Sequence, residues 1–202
     1  MEQYFTAQPT AQHQERTFSF NLRGHLLQLT TDNGVFSKQT VDFGTRTLIS
    51  AIDFTNLPAG NLLDLGCGYG PIGLTLAKEQ PQRQIMMADV NERALELARN
   101  NAAENRITNV QIQISDIYQQ LQQQTYAAIY TNPPIRAGKA VVSAMITQAK
   151  NHLVLEGQLW LVVQKKQGAP TYKRIMQQTF ENVQVIKRDK GYYVLKSAKT
   201  NN

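Results

Sequence analysis

Apolar and polar residues alternate through Phe18, Phe20 and Leu22, break at Arg23-Gly24, and resume through His25–Thr30. A period of two on either side of a glycine-containing turn predicts a β-hairpin over residues 17–30, covering one edge of the domain. Residues 34–43, GVFSKQTVDF, carry no period and are expected to be irregular. Gly44-Thr45-Arg46 then leads into a helix over about 45–55.

Beyond residue 60 the pattern changes to short apolar runs separated by helical periods. Asn61–Leu65, Gln84–Ala88, Val110–Ile114, Tyr126–Thr131 and residues 158–163 read as buried parallel strands. Helices are predicted over Pro71–Glu79, 92–104, 139–152 and 170–179. Pro71 occupies a first-turn position where its missing N–H does no harm, and Asn91 is placed to cap the helix whose Ala94, Leu95 and Ala98 share a face. The glutamine-rich stretch 119–124 is expected at the surface. Strands 183–188 and 191–196, joined by Asp189-Lys190, are too close for a crossover and must be antiparallel.

This order predicts an α/β fold: a mostly parallel seven-stranded sheet with an antiparallel last strand, helices on both faces and an N-terminal hairpin. Ligands of such a sheet sit at the carboxyl ends of its strands. Asp64, Asp89, Asp116 and Asn132 each fall there, on four different strands.

The chain of 202 residues fits a single domain, with residues 1–33 as extension and hairpin and 34–197 as a catalytic core. Its 42% hydrophobic and 18% charged content is that of a soluble globular protein. No apolar run predicts a membrane span, and the polar start MEQYFTAQPTAQHQER lacks a signal-peptide core. Cys67, the single cysteine, forms no internal disulfide, which points to the reducing cytoplasm; inside a tight turn it reads as a small packed residue rather than a nucleophile. No metal site is expected. Charge is uneven: residues 163–202 hold nine basic side chains against two acids, while the first 162 hold twelve against thirteen. A basic end of this kind favours a polyanionic partner, RNA in particular.

Between the first strand and its helix lies Asp64-Leu65-Gly66-Cys67-Gly68-Tyr69-Gly70. Glycines there let backbone approach a ligand closely. A dinucleotide fingerprint would place its third glycine one residue later, where Pro71 stands, and Asp64 would repel a pyrophosphate. S-adenosylmethionine fits better, being a sulfonium with an amino group, a ribose and an adenine but no phosphate. Asp64 would meet its positive end directly or through water, Asp89 beside Val90 its ribose hydroxyls, Asp116 the adenine amine and Ile117 the ring face.

The run DLGCGYG, followed by ADVN, SDIY and TNPPI, resembles the class I S-adenosylmethionine-dependent methyltransferases across roughly residues 30–197. More closely, GVFSKQTVDFGTRTLI, TNPPIRAGK and GYYVLKSAK are similar to the small-subunit ribosomal RNA guanine-N2 methyltransferases of the RsmC type. The resemblance implies a Rossmann-like fold, S-adenosylmethionine as cofactor and ribosomal RNA or a ribosomal subunit as partner. It also implies that Phe36, Lys38, Asp42, Gly44 and Thr45 close over the cofactor, beside Gly66, Cys67, Gly68 and Gly70. Some members carry two such halves; this chain shows one, with its motifs intact.

Asn132-Pro133-Pro134 supplies acceptors for a planar amine: the Asn132 side-chain carbonyl and the Pro133 backbone carbonyl, on a loop that Pro133 and Pro134 stiffen. Such a set acts on adenine N6, guanine N2 or a glutamine amide alike. Ile135 replaces the aromatic residue usual at the fourth position, so Phe36 or Tyr192 is expected to stack on the target ring. Arg136, Lys139, Lys165, Lys166, Lys187 and Arg188 are the RNA-contact candidates. Two rival readings are protein glutamine methylation, for which no helical substrate domain is present, and a noncatalytic RNA-binding protein, against which Asp64, Asp89 and Asn132 argue.

Overall fold

The computed structural model describes residues 12–37 and 40–201. The hairpin forms from β1 (Arg16–Leu22) and β2 (His25–Thr31), with Arg23 and Gly24 both at positive φ in the turn, as a two-residue hairpin loop requires. It lies on the helical layer rather than at a sheet edge. Asn101 exchanges hydrogen bonds with the Thr30 backbone (2.7 and 2.9 Å), and Arg23 and His25 both reach Glu79 (3.0 and 2.7 Å).

Helix α1 spans Phe43–Ala51, starting two residues earlier and ending sooner than its sequence pattern predicts. Asp42 sets the start, its carboxylate accepting the Thr45 N–H at 3.1 Å. Ile52 turns extended and ends it. Then follow β3 (Asn61–Leu65), α2 (Pro71–Glu79), β4 (Ile85–Asp89), α3 (Glu92–Glu104), β5 (Val110–Ile114), β6 (Tyr126–Thr131), α4 (Lys139–Ala149), β7 (Leu153–Gln164), α5 (Ala169–Phe180), β8 (Gln184–Asp189) and β9 (Tyr192–Ala198). Two boundaries move. Helix α4 gives way to a 3₁₀ turn at Lys150–His152, and β7 begins five residues before residue 158. The early part of β7 contains the kink at Glu156 (φ 63°), whose N–H and the Gly157 carbonyl pair with Lys199. The last turn is Lys190-Gly191, not Asp189-Lys190.

The sheet order is β5-β4-β3-β6-β7-β9-β8, with β9 antiparallel to both neighbours. Period-two alternation divides the strands between two cores. Leu62, Met87 and Val162 face the hairpin, α1, α2 and α3, whereas Leu63, Met86 and Leu161 face α4 and α5. Chain order reverses between β3 and β6, so their carboxyl ends open a crevice at that switch point. None of the helices among the described residues is long and apolar enough to cross a membrane.

Candidate active site

The crevice holds a cavity of about 350 Å³. Its walls are the glycine loop, Asp89-Val90, Ser115–Ile117, Asn132–Pro134, Val35–Ser37 and, from the helices, Asp42, Thr45, Val141 and Met145. Of the candidates read from sequence, Phe36, Asp42, Thr45, Gly66, Cys67, Gly68, Asp89, Val90, Asp116, Ile117, Asn132, Pro133 and Pro134 meet on it. Asp64, Gly44 and Gly70 do not, and Lys38 lies outside the described residues.

The loop is fixed by its backbone. Gly66 and Cys67 donate to the Ala88 carbonyl (2.8 and 3.0 Å), and Gly68 donates to an Asp89 carboxylate oxygen at 2.8 Å. The other Asp89 oxygen accepts the Asn91 N–H at 2.9 Å. Asp89 is therefore held rigid at the end of β4 by backbone N–H groups. Burial pushes its carboxyl above the ordinary range, against the backbone N–H groups that lower it. Gly68 has φ 56° and no atom within 4 Å of where a Cβ would stand. That open strip of backbone suits a ligand lying against it. Burial also raises the Cys67 thiol well above normal, with Asp89 and Asp64 adding to it, so Cys67 is an inert wall residue.

Asp64 is not placed for the direct contact with a ligand that the sequence suggests. It is fully buried behind Leu65 and Gly66; one oxygen accepts the Gly73 N–H at 2.8 Å and the other meets no donor. It ties the glycine loop to the first turn of α2. Burial, followed by the Gly73 bond acting downward and Asp89 acting upward, puts its carboxyl at about 8 against 3.8 in an unfolded chain. The folded state thus keeps a proton that the unfolded state loses, and raising pH from about 4 to about 8 withdraws stability. We expect the melting temperature to fall across that window and the slope to be shallower in Asp64→Asn, measured by thermal denaturation at fixed ionic strength.

Asp116 is exposed at the rim, one oxygen accepting from the Gln119 amide at 3.1 Å. Ile117 sits at φ 53°, strained for a β-branched residue, with its carbonyl held by the Ser115 hydroxyl at 2.9 Å. Gly44 is a packing requirement: a Cβ would stand 2.8 Å from the Tyr192 ring and 2.9 Å from the Asp42 carboxylate. Tyr192 therefore backs α1, packing on Phe43 at 5.5 Å, while Phe36, 38% exposed, lies on the wall. Wall residues that the sequence did not disclose include Tyr69, Ser115 and Met145. Tyr69 lay inside the motif; Met145 had only a helical period to mark it.

At Asn132 the amide is locked. Its nitrogen donates to the Asp42 carboxylate and to the Thr45 hydroxyl, each at 3.0 Å. A carboxylate only accepts, so this orientation is fixed by chemistry. Both N–H groups are consumed and the side-chain carbonyl oxygen is what remains for a ligand. The Pro134 carbonyl accepts the Ala137 N–H at 2.8 Å and closes the turn.

The basic candidates do not form one patch. Arg136 stands exposed on the 3₁₀ turn after Asn132, Lys139 at the start of α4, and Lys165 and Lys166 on the 3₁₀ turn ending β7, at the same edge of the sheet. Lys187 and Arg188 are consecutive on β8 and diverge. Lys187 donates to the Ser50 hydroxyl at 2.9 Å beside α1, whereas Arg188 lies over Tyr193, which packs with the α4–α5 core.

Residues 26–196 match the sequence profile of the methyltransferase small domain. The chain belongs to that family. It is 48% identical to the uncharacterized protein YbxB of Bacillus subtilis, covering 98% of each chain. It is 37% identical to ribosomal RNA small subunit methyltransferase C of Haemophilus influenzae, over 76% of this chain and 46% of that one. Among solved structures, a T. thermophilus 16S rRNA N2 methyltransferase (RsmC), in complex with AdoMet and guanosine, superposes with a TM-score of 0.81 at 26% identity, over 92% of this chain and 50% of that one. The chain thus spans about half the length of these ribosomal RNA methyltransferases. The methyltransferase has the class I Rossmann-like fold, and S-adenosylmethionine is its cofactor. The open backbone at Gly68 and the anchored Asp89 both fit that molecule.

Proposed function

We propose that this methyltransferase acts on an exocyclic amine of an RNA base, guanine N2 of small-subunit ribosomal RNA. The observation that carries the reading is the Asn132 amide. With both its N–H groups given to Asp42 and Thr45, it offers only an acceptor to whatever enters the cavity. A base amine is a poor nucleophile because its lone pair is delocalised into the ring. Asn132 Oδ1 and the Pro133 carbonyl accept its two N–H groups and aim the lone pair. Pro133 and Pro134 keep these acceptors fixed beforehand, so catalysis is positioning and electrostatics rather than strong base chemistry. S-adenosylmethionine, when bound, supplies an electrophilic methyl group on a sulfonium. Asp89 holds its ribose, Asp116 and Ile117 its adenine, and the backbone from Gly66 to Gly68 its remainder. Phe36 takes the stacking role that Ile135 cannot. Arg136, Lys139, Lys165 and Lys166 attract the RNA backbone to the rim. The guanosine in the T. thermophilus complex supports guanine as the base.

Purified protein, methyl-labelled S-adenosylmethionine and either 16S ribosomal RNA or small subunits from a strain lacking the protein should yield labelled N2-methylguanosine. Label in N6-methyladenosine, or in protein alone, would overturn the assignment. Asp89→Ala should weaken S-adenosylmethionine binding by about 2 kcal/mol, the loss of hydrogen bonds to a charged acceptor. Calorimetry on the folded variant checks this, and unchanged affinity would remove Asp89 from the ribose.

A further inference from the structure

We propose that Arg46 and Lys190, gathered on the ring of Phe43, form a phosphate subsite for the RNA backbone beside the target nucleotide. The proposal rests on the RNA reading above.

Arg46 lies between two rings, its guanidinium carbon 5.6 Å from the centre of Phe20 and 5.2 Å from that of Phe43. The Lys190 ammonium is 5.2 Å from the same Phe43 centre. Two cations therefore converge on one aromatic residue. Among the described residues neither of them forms a salt bridge. One oxygen of the neighbouring acid, Asp42, takes the Thr45 N–H and the Asn132 amide, and among the described residues no ion pair joins Asp42 to either cation. Arg46 Nε is buried and without a hydrogen-bond partner.

A purely structural staple would join Arg46 to an acid or a carbonyl, because like charges crowded together repel and an unpaired buried donor is costly. Aromatic faces hold the guanidinium flat but use none of its N–H donors. A guanidinium held flat, joined to no acid and set beside a second cation matches a phosphate, whose charge it answers and whose oxygens accept N–H bonds.

The location fits. Arg46 follows Thr45, a wall residue of the cavity. Lys190 is in the β8–β9 turn, whose Gly191 carbonyl accepts the Lys165 N–H at 2.7 Å, so the subsite continues into Lys165 and Lys166. In the sheet Gln164 pairs with Tyr192 and Leu161 with Thr131, the residue before Asn132. The subsite and the acceptor loop thus share one edge.

The test is binding of a 16S ribosomal RNA transcript at several salt concentrations to wild type, Arg46→Met and Lys190→Met. Methionine keeps an unbranched chain against the rings and removes the charge. Each variant should bind RNA several-fold more weakly at about 0.1 M salt, with a log–log salt slope shallower by roughly 0.7–0.9. S-adenosylmethionine affinity and melting temperature should stay at wild-type values. Lys190 lies in an exposed turn, so its variant carries the test should Arg46→Met fold poorly. Wild-type affinity and slope in the folded variants, alongside salt-sensitive binding by wild type, would overturn the subsite and leave the RNA reading standing. Absence of salt-sensitive RNA binding by wild type itself would remove the RNA reading, and the subsite with it.

Discussion

Asn132→Ala is expected to lower methyl transfer by about 10²–10³ while leaving melting temperature and S-adenosylmethionine affinity nearly unchanged, the loss typical of one preorganised transition-state contact. The geometry explains why the effect should fall on turnover. The Asn132 amide nitrogen is consumed inside the protein by Asp42 and Thr45, so the side chain meets the reactants through its carbonyl oxygen alone. That oxygen serves the incoming amine, whose N–H groups become more acidic as its nitrogen gives up its lone pair. The contact strengthens toward the transition state, which is the condition for raising the rate rather than only the affinity. Single-turnover methylation of ribosomal RNA or subunits with cofactor saturating is the measurement. Wild-type rates in a folded Asn132→Ala would take Asn132 out of the mechanism and amine methylation with it.

Asn132→Asp sharpens the same test, and the structure changes what it should do. By charge alone, the variant places a negative group beside a sulfonium, which favours cofactor binding and opposes the loss of positive charge from sulfur during transfer. In the fold the new carboxylate would sit about 3.0 Å from Asp42, at the position of the present amide nitrogen. Two carboxylates so close must share a proton, which raises the affinity of the pair for it. The variant should therefore be slow, and its residual rate should depend on pH near neutrality more steeply than that of wild type. A rate that is low but flat with pH would show that the two groups have moved apart.

The strand–helix alternation after residue 60 was legible because buried parallel strands are near-continuous apolar runs and the breaks carry strong signals, Pro71 and Asn91 among them. Asn61–Leu65, Pro71–Glu79 and Tyr126–Thr131 form over those very residues. Helix α1 was misplaced because its start depends on a side-chain cap by Asp42, which leaves no periodic trace. The extension of β7 before residue 158 passes through the kink at Glu156, and no alternation survives a kink. At the site, motif position showed which residues gather at the strand ends but not their depth. Asp64 and Asp89 are both acids at strand ends, yet one is sealed behind the loop and the other holds its open side. The pairing of Asp42 with Asn132, 90 residues apart, was invisible in the sequence, since nothing local links a helix cap to a loop on another strand.

That pairing makes the second large prediction. Asp42 does two jobs with one oxygen: it caps α1 through the Thr45 N–H and it takes one N–H of the Asn132 amide. Losing the cap alone costs about 1 kcal/mol of stability. Freeing the Asn132 amide to rotate would turn its N–H groups toward the reacting amine, which has no acceptor for them, and misplacement of this order costs about 10² in rate. Asp42→Ala should show both effects. Asp42→Ser separates them, because a serine hydroxyl still caps a helix but its side chain is shorter and gives up the carboxylate that holds the amide. It should restore most of the melting temperature and little of the turnover, with S-adenosylmethionine affinity unmoved. Placed on top of Asn132→Ala, Asp42→Ser should slow the reaction no further, since a residue acting through Asn132 has nothing left to orient. An additive loss in the double variant would mean that Asp42 meets the cofactor or the base itself, and that the locked amide is only a packing arrangement.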